Sequence, residues 1–208
     1  DPGYFYHRIL KLVTEVTENA EKFFPDYEGQ GFEIAGLCWH QGWNDQYDGL
    51  DAKYEENMAA FINDIRSKEH GLGITGLPVV IATSGMIRNE SAIKKAQLAM
   101  ADMAKYPEFA GNVAVVDTDK SYGPKKLQFW FDTKDSPSGQ GYHYNRNAET
   151  YMLIGDALGR AMVGLLGGKA EPLPQAPRPN RAGGQQTAEP SEAEQAAARA
   201  ALAPIILD

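Results

Sequence analysis

The most informative segment for the fold is a continuous apolar run that starts with a leucine and a proline: Leu77-Pro78-Val79-Val80-Ile81-Ala82-Thr83. Valine and isoleucine are enriched in strands, and a short apolar run without alternation indicates a buried strand. Pro78 fits this interpretation because proline is tolerated at the start of a strand. Buried strands of this kind are typical of parallel sheets that helices cover.

Two shorter apolar runs, residues 32–39 and 112–116, predict further strands before and after this one along the chain. Apolar residues at helical spacing predict four helices, and Met103 and Tyr151 are among the positions expected to face inward. The first helix covers residues 4–22, and the second follows Asp51, which is expected to cap it. The third and fourth helices cover 91–105 and 147–166. Strands that alternate with helices predict an α/β domain with a parallel sheet between two helical layers.

The chain has 208 residues, 43% of them apolar, and a formal net charge of -8. These values indicate a soluble globular domain with a tail. Nucleic-acid binding is disfavoured because phosphate recognition requires clustered lysine and arginine. No apolar run approaches the roughly 20 residues that span a bilayer. Cys38, the only cysteine, is expected to be a small buried side chain, and alone it leaves the redox compartment undetermined.

The composition changes near residue 169 and indicates a domain boundary there. We expect a domain over 1–168, a proline-rich linker over 169–190, and a short alanine-rich helix within 191–208 that is a tail or starts a further domain. Three strands make a thin sheet for this class, and the chain begins with Asp1. We therefore expect an N-terminally incomplete domain. No signal peptide is recognisable in these residues.

Polar segments follow each predicted strand, at the edge where open parallel sheets bind ligands. The first segment, residues 40–45, contains side-chain amides, which suit the stabilisation of an oxyanion. His143 lies in a glycine-containing loop before the last helix, and histidine suits proton transfer at neutral pH. Both features also fit a structural interpretation, namely a loop that Trp43 anchors on the core and a surface histidine. No metal site is predicted, because the nearby aspartates lack the spacing of a calcium loop: Asp45, Asp48, Asp51, Asp117 and Asp119.

Two short blocks become specific when they are taken together. The first is Trp39-His40-Gln41-Gly42, which continues into Gly42-Trp43-Asn44-Asp45. The second is Tyr142-His143-Tyr144-Asn145, just over one hundred residues later and directly before a helix. Their order resembles the W-x-Q-G, G-x-N-D and final histidine blocks of SGNH hydrolases of the sialate O-acetylesterase-like and family-six carbohydrate esterase type. The resemblance covers residues 1–167 and implies a flavodoxin-like three-layer fold.

The resemblance implies removal of acetyl esters from sugar hydroxyls through a serine acyl-enzyme, with an acetylated carbohydrate as partner and no cofactor. His143 would be the general base, and Gln41, Asn44 and the N–H of Gly42 would be oxyanion donors. The candidate substrate-binding residues are His40, Trp43, Asp45, Gln140 and Tyr142. The resemblance also suggests a secreted or periplasmic location.

Three departures from the family pattern leave alternatives open. The family nucleophile lies in a Gly-x-Ser block after the first strand, and no serine here has that setting, because Ser84 follows a different strand. The triad acid usually stands three residues before the histidine, where this chain has Gln140, so Asp135 or Asp45 is a candidate. Trp43 replaces the usual glutamate. The rival hypotheses are a non-catalytic carbohydrate-binding protein on a degraded esterase fold and a plain flavodoxin-like binding domain.

Overall fold

The computed structural model describes residues 2–85, 91–118, 138 and 141–170. In this part of the chain the helices are α1 (Tyr4–Glu18), α2 (Ala20–Phe23), α3 (Tyr54–Arg66), α4 (Ala92–Ala99) and α5 (Ala148–Leu165). The strands are β1 (Leu37–Trp39), β2 (Val79–Ala82) and β3 (Val113–Val116). Short 3-10 helices lie at Asn44–Gln46, Leu50–Lys53, Pro107–Phe109 and Gly141–Arg146. Every helix in the described ranges is too short or too polar to span a bilayer.

The three strands form one parallel sheet in the order β1-β2-β3. In its register Cys38 lies beside Val80, and Val80 lies beside Ala114. All four residues of the central strand β2 are fully buried. The structure therefore confirms the α/β class and the parallel sheet that the apolar runs predict.

Helices cover both faces of the sheet because successive side chains of a strand point to opposite faces. On one face, Ile81 packs in a cluster with Met58 of α3 and Ile93 of α4. On the other face, Val80 packs in a cluster with Ile154 of α5. A separate cluster joins α1 to the end of α3. With both faces occupied, the loops at the carboxyl edge of the sheet are left to form a site.

Several element boundaries differ from the sequence expectation. The first strand begins at Leu37, where its N–H donates to the Pro78 carbonyl oxygen over 2.8 Å. Pairing starts there because β2 itself begins one residue after Pro78. The first helix is interrupted at Asn19, whose backbone is not helical. The predicted linker and tail lie outside the described residues, apart from Lys169 and Ala170.

Four side-chain expectations are wrong, each for a local reason. Cys38 is exposed, because it shares a face of the sheet with Val80 while α5 packs over β2 and β3. Met103 is 66% exposed because α4 ends at Ala99. Tyr151 is 45% exposed and donates a hydrogen bond to the backbone of the loop that precedes α5. Asp51 lies in a 3-10 turn, and α3 has no side-chain cap.

Arg66, the last residue of α3, ties together the ends of the sheet opposite the carboxyl edge. It is 9% exposed, and its guanidinium donates to the carbonyl oxygen of Leu77, which precedes β2. It also donates to the carbonyl oxygen and the side-chain oxygen of Asn112, which precedes β3. The planar fork of arginine suits several acceptors at once. One side chain thus fixes the starts of two strands.

Replacing Arg66 by methionine should lower the free energy of unfolding by roughly 2–4 kcal/mol, because the Leu77 carbonyl oxygen and the Asn112 side-chain oxygen lose the hydrogen bonds that Arg66 donates. Urea unfolding followed by circular dichroism measures this change. The control is Arg160→Met, which removes a partly exposed pair with Asp156 and should cost at most about 1 kcal/mol. Equal losses in the two variants would contradict the role of Arg66 in joining the starts of β2 and β3.

Candidate active site

The candidate site lies at the carboxyl edge of the sheet, where the loops after β1 and β2 meet the segment before α5. A cavity of about 280 Å³ is formed there. Its lining consists of His40, Gln41, Gly42, Trp43, Asn44, Ser84, His143, Tyr144 and Tyr151. The fold thus brings His143 into one cavity with the residues after β1, although about one hundred positions separate them, because open parallel sheets gather their loops at this edge.

A second, larger cavity adjoins the first. Its volume is about 720 Å³, and its walls come from α1, α3 and the end of β1. Gln41 and Asn44 line both cavities. These two amides therefore stand where the two spaces meet, and a ligand that fills both would pass them.

The side chain of Gln41 is held from two sides. Its Nε2 donates to Asp45 Oδ2, and its Oε1 lies 3.3 Å from the Tyr54 hydroxyl, whose single proton it shares with the Gln41 carbonyl oxygen. A primary amide carries two N–H groups, so the bond to Asp45 leaves one for another acceptor. Asp45 therefore contacts an amide that the resemblance implies to be an oxyanion donor.

Gly42 occupies a position that no other residue fits. Its φ is 145°, a backbone conformation that glycine adopts readily and other residues rarely do. A Cβ atom there would lie 2.8 Å from Ile93 Cγ2 and 2.8 Å from Ser84 Oγ. The loop after β1 can pass this closely over the end of β2 only because the side chain is absent.

The half-buried His40 and the buried Tyr144 form a polar pair on the wall of the cavity. His40 Nε2 lies 3.1 Å from the Tyr144 hydroxyl, which also accepts the N–H of Gly85 over 3.1 Å. Burial lowers the pKa of the His40 imidazole below its usual value. Burial also raises the pKa of Tyr144 to about 12. Both side chains are therefore neutral at pH 7, and they join the loops after β1 and β2 to the segment before α5.

A sequence model of the family described as carbohydrate esterase, sialic acid-specific acetylesterase, matches residues 3–162. This match spans well over half of the 208 residues. The chain belongs to this family of carbohydrate esterases. The three-strand parallel sheet is consistent with the SGNH-type fold of the family. No curated protein and no solved structure matches the chain.

Some candidate residues of this carbohydrate esterase domain lie outside the part that the structure describes. Asp135 and Gln140 are among the undescribed residues, and so is the side chain of Tyr142. The triad acid and its substitute are therefore still predictions. His143 is exposed, and its carbonyl oxygen accepts the Tyr151 hydroxyl over 3.1 Å.

Three residues at or next to the candidate site are not predicted from the sequence. Gln97 of α4 is fully buried, and it bonds to the loop after β1 and to Ser84. Tyr54 donates to the Gln41 carbonyl oxygen over 2.9 Å, yet the helical pattern predicts only a core position. Tyr144 lies beside the histidine that the resemblance selects. A signal existed for Gln97, because a glutamine within the apolar stripe of a helix needs a buried polar partner.

Gly42→Ala should lower the free energy of unfolding by at least about 3 kcal/mol, because an unfavourable backbone conformation is combined with overlap in the core. Gly49→Ala is the matched control, since its φ is 73° and nothing lies within 4 Å of an added Cβ. That control should cost about 1–2 kcal/mol, the strain alone. Thermal unfolding of both variants tests the difference, and equal losses would contradict the close approach at Gly42.

His40 should make the protein less stable as the pH falls. The unfolded chain binds the histidine proton near pH 6.5, whereas folding lowers this pKa, so below about pH 6.5 the unfolded state binds more protons. The melting temperature should fall from about pH 7.5 to about pH 5.5, and His40→Gln should reduce that fall. His70→Gln, at an exposed histidine, is the control. An unchanged fall in the His40 variant would contradict the prediction.

Proposed function

We propose that this domain removes an acetyl ester from a carbohydrate hydroxyl, with the ester carbonyl at the carboxyl end of β1. The observation that supports the proposal is the cavity that Gln41, Gly42 and Asn44 share with His143. Fixed N–H donors stabilise the negative charge that develops on the carbonyl oxygen during acyl transfer. An imidazole in the same space can accept a proton from the nucleophile and return it to the leaving alcohol.

The proposed roles follow from the chemistry of each group. The side-chain amides of Gln41 and Asn44 and the N–H of Gly42 act as oxyanion donors, and His143 acts as general base and then as general acid. Asp135 or Gln140 orients His143. The substrate contacts are assigned to His40, Trp43, Asp45 and Tyr142. Acyl transfer with these groups needs neither a metal ion nor an organic cofactor.

The larger cavity is proposed to hold the sugar. It adjoins the acyl site through Gln41 and Asn44, and the residues that line it include the aromatic Trp39 and the polar Arg8 and Asn57. Sugar rings present apolar C–H faces and polar hydroxyl edges, so a wall of aromatic and hydrogen-bonding groups suits them. This division places the small acetyl group in the cavity of about 280 Å³.

The proposal assigns the role of nucleophile to none of the described residues. The resemblance assigns it to a Gly-x-Ser block that none of these residues forms. Among the described residues that line the smaller cavity, Ser84 is the only serine. Its side chain is 1% exposed, and its hydroxyl donates to the Gln41 carbonyl oxygen over 3.1 Å. This burial also supports a second candidate function, a carbohydrate-binding domain without catalysis.

The test compares hydrolysis of p-nitrophenyl acetate and of an O-acetylated sugar by the product of the whole gene and by the 208-residue chain. We expect turnover from the whole product and, at most, a small residual rate from the chain alone. His143→Ala should reduce the rate of the whole product by about 10²–10⁴-fold, the usual contribution of acid–base catalysis.

His70→Ala is the matched control and should leave the rate unchanged, because His70 is exposed and lines neither cavity. If the 208-residue chain is fully active and Ser84→Ala abolishes that activity, then Ser84 is the nucleophile, and the prediction that the nucleophile lies in a different block is wrong. Binding of the sugar without hydrolysis by the whole product would favour the non-catalytic function.

A further inference from the structure

The carbonyl oxygen of Gln41 receives three hydrogen bonds. Gln97 Nε2 lies 2.7 Å away, the Tyr54 hydroxyl 2.9 Å and Ser84 Oγ 3.1 Å. The three donors are 0%, 5% and 1% exposed, respectively. A carbonyl oxygen has two lone pairs, so three donors exceed what is needed to satisfy a buried acceptor.

The donors come from three separate elements and are themselves fixed. Tyr54 begins α3, Gln97 lies in α4, and Ser84 follows β2. The orientation of the Gln97 amide is set by its oxygen, which accepts the backbone N–H of Ser84 over 2.9 Å. Its NH₂ group must therefore face the Gln41 carbonyl. The Gln41–Gly42 peptide is thus held against the rigid part of the fold.

The three hydrogen bonds to the Gln41 carbonyl oxygen also affect the N–H of Gly42, because this N–H belongs to the same peptide group. All peptide bonds in the described chain are trans, so this N–H points away from the oxygen that the three donors hold. Donation to a carbonyl oxygen increases the polarity of the whole peptide group, and hydrogen bonds in such chains strengthen one another. Gly42 also lines the smaller cavity.

We propose that Tyr54, Ser84 and Gln97 are positioning residues that orient and polarise the Gln41–Gly42 peptide, so that the Gly42 N–H is a fixed oxyanion donor beside the two side-chain amides. The assignment rests on the proposed acyl-transfer function. It gives Ser84 a role other than nucleophile, and it explains why a fully buried glutamine interrupts the apolar stripe of α4. It also explains the need for glycine, since a Cβ at position 42 would lie 3.0 Å from Gln97 Nε2.

The test uses Tyr54→Phe and Ser84→Ala, each of which removes one donor. In both variants the carbonyl carbon signal of Gln41 and the amide proton signal of Gly42 should move upfield in NMR spectra. With the whole gene product, kcat should fall about threefold to tenfold with KM nearly unchanged, less than the roughly 10²–10³-fold loss that follows removal of an oxyanion donor itself.

Tyr6→Phe is the matched control, because Tyr6 is also a buried tyrosine whose hydroxyl donates to a backbone carbonyl, that of His70. It should leave both signals and kcat unchanged. Unmoved Gln41 and Gly42 signals in folded Tyr54 and Ser84 variants would overturn the proposal, as would moved signals with an unchanged kcat. If the unsubstituted protein has no esterase activity, the acyl-transfer function fails, and the NMR signals alone decide whether the three donors polarise the peptide.

Discussion

The double-sided burial of β2 is the constraint on which the rest of the structure depends. Its four residues have no exposed surface, so the backbone N–H and carbonyl groups must pair with strands on both edges. Parallel neighbours meet this need, and they require crossover connections that place helices on the faces. The clusters around Ile81 and Val80 are the two resulting interfaces. All carboxyl ends then meet at one edge.

That shared edge explains why the polar groups of the domain are concentrated where the strands end. Loops that leave parallel strands side by side bring backbone groups into contact, and each buried group needs a partner. Two of the networks that meet this need involve residues that line the smaller cavity. Gln97 joins Ser84 to the loop after β1, while Tyr144 joins Gly85 to His40. The candidate site is therefore built on loops that buried hydrogen bonds hold in place, which suits the proposed stabilisation of an oxyanion by fixed dipoles.

Membership of the carbohydrate esterase family and the geometry of the cavity bear on different parts of the function. The family match covers residues 3–162 and includes both motif blocks. The geometry supports the proposed oxyanion stabilisation, because the Gln41–Gly42 peptide is fixed by buried donors. It also agrees with the proposed positioning role of Ser84, since a serine whose buried hydroxyl donates to a backbone carbonyl is poorly placed to attack an ester.

The sequence by itself determined the strands, the order of the elements and the two blocks at their ends, because apolar periodicity and glycine positions are local properties. It also selected Gln41, Gly42, Asn44 and His143 through their family pattern. Only the tertiary structure decided that Cys38 is exposed and that Tyr144 contacts His40. It alone decided that the Gln97 amide holds the peptide before Gly42. These outcomes depend on which helix covers which strand and on contacts between residues far apart in the chain, and no local pattern records either.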